Sequence, residues 1–326
     1  MKPFRQASIS TLVKRLVLAL LAAVCFAQDD SRLPKLLWRA PHEATLEDWS
    51  CGLGGCDQAP APPFHFVKED VEGTFPKLTV TDAKGRTYNV KFGAKVVSEC
   101  FASRFVANVG YFVEPSYYVG PGKLEGASRL RRSHAFVEPD GTFKRARFQL
   151  RDDRQMEFLK DHAWSLADNP FRGTREFAGL RVLMMLLSNW DAKDSRDGQE
   201  ESNTAMFRGP SALMYSFFDW GSTLGRWGGF QRRTRSDCSG FVQDTPHFIT
   251  GLHGNVVEFG YSGKHEQDVK AGITVEDLRW LSTYLGRITD YEIRAGLKAC
   301  GATERQTACW ARGIEDRIKQ VETAAR

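Results

Sequence analysis

The sequence lacks the signatures that announce the common enzyme classes. It has no Gly-x-Ser-x-Gly elbow, no Walker phosphate loop, no His-Glu-x-x-His and no Cys-x-x-Cys-His. The hydrolase, P-loop, zinc-protease and haem readings therefore have little behind them. The seven histidines show no metal-ligand spacing. Acidic residues are missing from the first 27 positions, where Lys2, Arg5, Lys14 and Arg15 stand. Without those four cations the formal charge of +5 falls to +1. A nearly neutral chain gives no argument for nucleic-acid binding. After residue 27 there is no apolar run near the ~20 residues that span a bilayer.

What is present begins with a separate leader. The basic start is followed by an apolar run over residues 16–26 and then by Gln28, Asp29 and Asp30. That run is too short to span a membrane, and Cys25-Phe26-Ala27 offers small residues for cleavage, so residues 1–27 read as a signal peptide. Lipidation at Cys25 is disfavoured because Val24 is too large for the preceding position. The expected product is periplasmic or secreted, with no membrane span after signal removal. Six cysteines follow: Cys51, Cys56, Cys100, Cys238, Cys300 and Cys309. In an oxidising compartment the close pairs Cys51/Cys56 and Cys300/Cys309 are each expected to form a local disulfide. Cys100 and Cys238 are left open, as free thiols or as a pair.

Residues 28–62 are rich in Pro, Asp and Gly and read as a tether. From there the pattern changes. Alternation over 77–81 and 87–92 around the turn at 82–85 predicts a β-hairpin. Residues 95–109 have helical spacing, closed by Gly110. Further strands are expected around 111–119, 135–138 and 142–150. A nearly all-apolar stretch, 175–188, predicts a buried helix behind a Thr174 cap. A short strand is expected over 212–218, and helices over 275–285, 290–299 and 304–324. The fold class is thus α+β, β-rich first (63–155) and mostly helical afterwards (156–326).

Four short segments carry the chemistry. Gly73-Thr74-Phe75-Pro76-Lys77 opens the hairpin. Val90-Lys91-Phe92-Gly93 ends a strand, and Glu99 follows one turn into the helix. Asn189-Trp190-Asp191-Ala192-Lys193-Asp194 leaves the buried helix, and Phe218-Asp219-Trp220-Gly221 leaves a strand. Phosphoryl transfer needs these residue types in this order. A strand lysine neutralises phosphates, a helix glutamate positions the lysine, and a loop aspartate orients the acceptor. A second aspartate, with a glycine after it, holds magnesium. Taken singly, the lysine and glutamate would be an ordinary surface ion pair and Asp-x-Gly an ordinary turn. The order gives them weight.

On these residues the chain resembles the protein-kinase-like superfamily, nearest to atypical branches such as the HipA-type kinases and the CotH-type secreted kinases. It is also similar to exported bacterial proteins with the pattern Val-Lys-Phe-Gly…Asn-Trp-Asp-x-Lys-Asp…Asp-x-Gly. The resemblance runs from about residue 64 to 320 and implies a two-lobed fold that binds ATP with Mg2+ or Mn2+. It implies Lys91 as the ATP-binding lysine, Glu99 as its partner, Asp191 as the catalytic aspartate and Asp219 as a metal ligand. Lys193 belongs to the same catalytic pattern, and Gly73 and Lys77 match a phosphate-loop turn. One departure stands out. Where such folds place a metal-binding Asn about five residues after the aspartate, this chain has Arg196. Either Asp197 or Asn203 fills that role, and the strand-like run after Asn203 favours it. The expected partners are nucleotide and an unnamed protein or small-molecule acceptor. Alternatives are an inactive kinase-like recognition protein and an adenylyl transferase. The basic run Arg226, Arg232, Arg233 and Arg235 reads most simply as a solvated loop.

Overall fold

A computed structural model describes residues 30–41, 48–71, 75–151, 156–160, 162–193, 203–229 and 231–326. The expected signal peptide lies outside them. Residues 1–34 form one unit, in which Asp30–Arg32 makes a 3-10 turn, and Lys35–Arg326 forms the other.

The larger unit has the expected α+β composition. Its first part is a seven-stranded sheet in the order β5-β8-β4-β3-β2-β6-β7. The strands are β2 (Phe64–Asp70), β3 (Lys77–Thr81), β4 (Thr87–Phe92), β5 (Ser116–Val119), β6 (Gly122–Glu125), β7 (Thr142–Phe143) and β8 (Ala146–Arg151). Helix α1 (Lys95–Asn108) is inserted between β4 and β5. The period-2 pattern of β3, β4 and β8 sends Leu78, Val80, Tyr88, Val90, Phe92, Phe148 and Leu150 into a core shared with Phe64, Leu124 and Phe143. The opposite face receives the polar half of each strand. Lys77 lies directly across from Lys91, and Lys91 from Arg147, so three cations form a row on that face.

The second part holds a smaller sheet, β1-β11-β10-β9, from Lys35–Leu36, Leu213–Phe217, Thr204–Arg208 and Glu157–Phe158. Strands β12 (Ile249–His253) and β13 (Val256–Phe259) form a hairpin. Around these run α2 (Arg175–Leu186), α3 (Cys238–Asp244), α4 (Glu266–Lys270), α5 (Val275–Leu285), α6 (Asp290–Ala299) and α7 (Glu304–Ala324). Thr174 caps α2 by accepting from the Phe177 amide, and α5, α6 and α7 each start with a capping box on Thr274, Thr289 and Thr303.

Several expectations are corrected. Parts of the expected tether are packed against the rest of the larger unit. Leu37 and Trp49 are buried, Trp49 faces Phe101 and Phe105, and Trp38 meets Trp280 and Tyr284. Arg104 donates to the carbonyls of Trp49 and Ser50 at 2.8 and 2.9 Å, fixing this stretch against α1. Its aromatic anchors outweigh its proline and glycine content. Residues 135–138 form no strand; Ser133–Ala135 is a 3-10 turn, and Val137 makes a single bridge to Phe143. Cys51 pairs with Cys56 as expected, but Cys300 pairs with Cys100 and Cys309 with Cys238. Cys300 closes α6 while Cys309 lies within α7, so a helix end and a new helix start separate them and each faces a different neighbour.

Candidate functional site

The site is assembled where β4, β8 and α1 meet the loops after α2 and β11. Lys91 emerges near the end of β4, and its ammonium donates to Glu99 Oε1 at 2.9 Å. The same carboxylate oxygen receives Arg147 at 2.8 Å. Glu99 and Arg147 each have only 1% of their side chains exposed. Arg147 donates to Gln149 at 2.6 Å; Gln149 in turn meets Glu114, which also takes Arg151 at 2.7 Å. Burial lowers the affinity of Lys91 for its proton. Glu99 opposes that shift, Arg147 and Lys95 add to it, and the outcome is a pKa below the ordinary lysine value.

Asp219 follows β11. Lys95, the first residue of α1, places Nζ 3.3 Å from each carboxylate oxygen, and the Gly221 amide donates to Oδ1 at 3.0 Å. Burial tends to raise the Asp219 pKa. Lys95, Lys91 and the Gly221 amide outweigh it and hold the carboxyl well below the ordinary carboxylate range. The glycine of this Asp-x-Gly segment has a packing reason, because a Cβ at Gly221 would collide with the Lys95 side chain.

Asn189 joins the two aspartate loops. Its side chain donates to the Asp219 carbonyl at 3.1 Å and accepts from the Asp191 amide at 3.3 Å. The Asp191 carboxylate takes Lys264 at 2.6 Å. Asn203 donates to the Asp191 carbonyl at 2.5 Å, and its own carbonyl accepts from the Phe218 amide at 3.0 Å, directly before Asp219. Lys91, Glu99, Asp219, Asp191 and Asn203 are thus brought into one connected region.

No protein-family profile matches the chain. No curated protein matches it. Among solved structures the chain is similar to a Golgi casein kinase, in one case with Mn/ADP bound. Each of two such structures gives 11% identity, a TM-score of 0.44, and coverage of 98% of this chain and 91% of that one. An identity of 11% carries no residue-by-residue correspondence.

Two expected site residues make their ion pairs elsewhere. Lys193 pairs with Asp268 at 2.7 Å, and the lysine on the Asp191 carboxylate is Lys264. Lys77 neighbours Lys91 across the sheet, but its ammonium pairs with Asp70 at 2.8 Å. Gly73, like Arg196 and Asp197, lies outside the described residues. Sequence reading missed Arg147, Lys95 and Lys264, and gave Asn189 a place in its segment but no role. The β8 alternation was visible, but only the sheet register sets Arg147 across from Lys91; Lys264, 73 positions from Asp191, gave no local signal. The basic run is also more ordered than expected. Arg235 lies 4.3 Å from the Trp190 ring and donates to Ser222 at 3.2 Å. Asp191 and Asp219 are both close enough to act electrostatically on Arg235.

Asp219 offers carboxylate oxygens, the donor chemistry preferred by Mg2+ and Mn2+, while the Asn203 side chain is tied to the Asp191 carbonyl. The Lys95 ammonium spans both carboxylate oxygens, as a small cation would. The Asp219 carboxylate is a donor type that suits a hard divalent ion.

Proposed function

We propose that this chain is an exported, two-lobed, protein-kinase-like protein that binds ATP with Mg2+ or Mn2+ and transfers the terminal phosphate to a protein or small-molecule acceptor. The observation that carries this reading is the buried Lys91–Glu99 pair on the same site as Asp219, with Asn189 tying the Asp219 and Asp191 loops together. Lys91, Lys95 and Arg147 face two carboxylates, Glu99 and Asp219, so the pocket carries excess positive charge suited to phosphates.

Lys91 neutralises the α- and β-phosphates, and Glu99 fixes where its ammonium points. Asp219 and Asn203 hold the divalent ion, which when bound offsets charge on the transferring phosphoryl group. Asp191 accepts the acceptor hydroxyl proton as the new O–P bond forms and the β–γ bridging P–O bond breaks, releasing ADP. Lys264 keeps one oxygen of Asp191 oriented through its 2.6 Å contact. The disulfide pairs support work in the periplasm or outside the cell.

One observation favours a second reading, a nucleotide-free recognition protein: the Asp219 carboxylate is already engaged by Lys95. Calorimetric titration with ATP separates the two. Metal-dependent binding that disappears in Lys91→Ala, with Asp191→Ala retaining binding but releasing no product phosphate or phospho-acceptor, is the expected result. No ATP binding under any metal condition would overturn the kinase-like reading.

A further inference from the structure

Four lysine or arginine contacts hold the carboxylates of this site, and one differs from the rest. Lys91 and Arg147 reach Glu99 at 2.9 and 2.8 Å, and Lys264 reaches Asp191 at 2.6 Å. These are ordinary lengths for charge-assisted hydrogen bonds. Lys95 instead sits 3.3 Å from both oxygens of Asp219, balanced between them. It is the longest of the four contacts, on a carboxylate that keeps 27% of its side chain exposed.

The surroundings are shaped for that ammonium. Only 6% of the Lys95 side chain is exposed. The Phe75 ring lies 4.3 Å from Nζ, within cation–π range, and the absent side chain of Gly221 leaves room for the methylene stem. Lys95 and Glu99 are four residues apart on α1, so one helix face delivers the anion that grips Lys91 and the cation that covers Asp219.

We propose that Lys95 is a tethered cation that occupies the divalent-ion position on Asp219 in the nucleotide-free protein and yields it when Mg2+ or Mn2+ binds. It rests on the proposed function only in taking Asp219 as the metal ligand. A divalent ion brings twice the charge to the same two oxygens. Lys95 reaches them on a flexible four-carbon stem, whereas Lys91 leaving would take one of the two cations from the buried Glu99 carboxylate.

The test is titration of the full exported chain with Mn2+ alone, without nucleotide, read by calorimetry and by loss of the free-ion electron paramagnetic resonance signal. Lys95→Met, which keeps the stem and removes the charge, is expected to tighten Mn2+ binding on the order of tenfold. Lys95→Arg is expected to stay near the parent affinity. Gly221→Ala, which displaces the stem, should tighten it like Lys95→Met and serves if that variant does not fold. Equal Mn2+ affinity in the parent and Lys95→Met overturns the proposal, as does failure of every variant to bind Mn2+. ATP binding in a chelator that is lost on Lys95→Met also overturns it, since Lys95 would then replace the ion permanently. Because nucleotide is absent from the titration, a positive result stands even if ATP binding fails. A negative result with ATP binding intact removes only the tethered cation.

Discussion

Glu99 and Asp219 are both carboxylates gripped by lysine, one on the sheet side of the site and one on the loop side. Glu99 is almost wholly buried and binds two cations through a single oxygen, while its second oxygen is buried without a hydrogen-bond partner. Asp219 is about a quarter exposed, and its lysine is shared loosely between both oxygens. The contrast separates two uses of charge. On the sheet side, desolvated ions fix a geometry and cannot rearrange cheaply. On the loop side, a carboxylate in contact with solvent can change partners.

The sharpest way to break the comparison is Glu99→Ala. It strands Lys91 and Arg147, and the expected loss is about 3–5 kcal/mol of stability, measured by urea unfolding. A loss no greater than that of a surface pair would erase the distinction. A third carboxylate sharpens it at intermediate size. Glu69 accepts from three successive main-chain amides, Arg131, Arg132 and Ser133, at 2.6, 2.9 and 2.7 Å. Burial works against its charged form, but these amides outweigh it and bring its pKa from 4.5 to about 2. A lowered carboxylate pKa adds stability that is complete above 4.5 and is lost as pH falls toward 2. Glu69→Gln should therefore cost about 1–2 kcal/mol at neutral pH. The difference from the parent should vanish near the low end of that window, as followed by unfolding at a series of pH values. The smallest effect belongs to the loop side. Lys264→Ala should change stability by no more than about 1 kcal/mol, because its pair with Asp191 is partly open to solvent on both partners.

Much of the framework was legible because it is local. The hairpin of β3 and β4, helix α1 and the three C-terminal helices follow from alternation, 3.6-residue spacing and threonine caps, and α5, α6 and α7 start and stop where the pattern placed them. The β12–β13 hairpin was missed because Ile249–His253 is only partly covered and shows no clean alternation. The packing of Leu37, Trp38 and Trp49 was hidden by composition, since these residues act at long range. At the site, Lys91, Glu99, Asp191 and Asp219 were readable from residue type and order. Lys95 and Arg147 were not, because ion pairing across a sheet or between distant loops leaves no periodic trace. The disulfides follow the same rule. The five-residue separation of Cys51 and Cys56 was readable, whereas the partners of Cys100 and Cys238 lie 200 and 71 positions away.

The Cys100–Cys300 bond has a consequence for regulation. Cys100 directly follows Glu99 on α1, and Cys300 ends a helix of the second half of the chain. The helix that presents both Lys95 and Glu99 is therefore covalently moored one residue from its key anion. A protein that governed its activity by swinging this helix in and out would have to break the mooring first. Here the oxidised chain holds the helix that carries Glu99, and with it the Lys91 pair, in place.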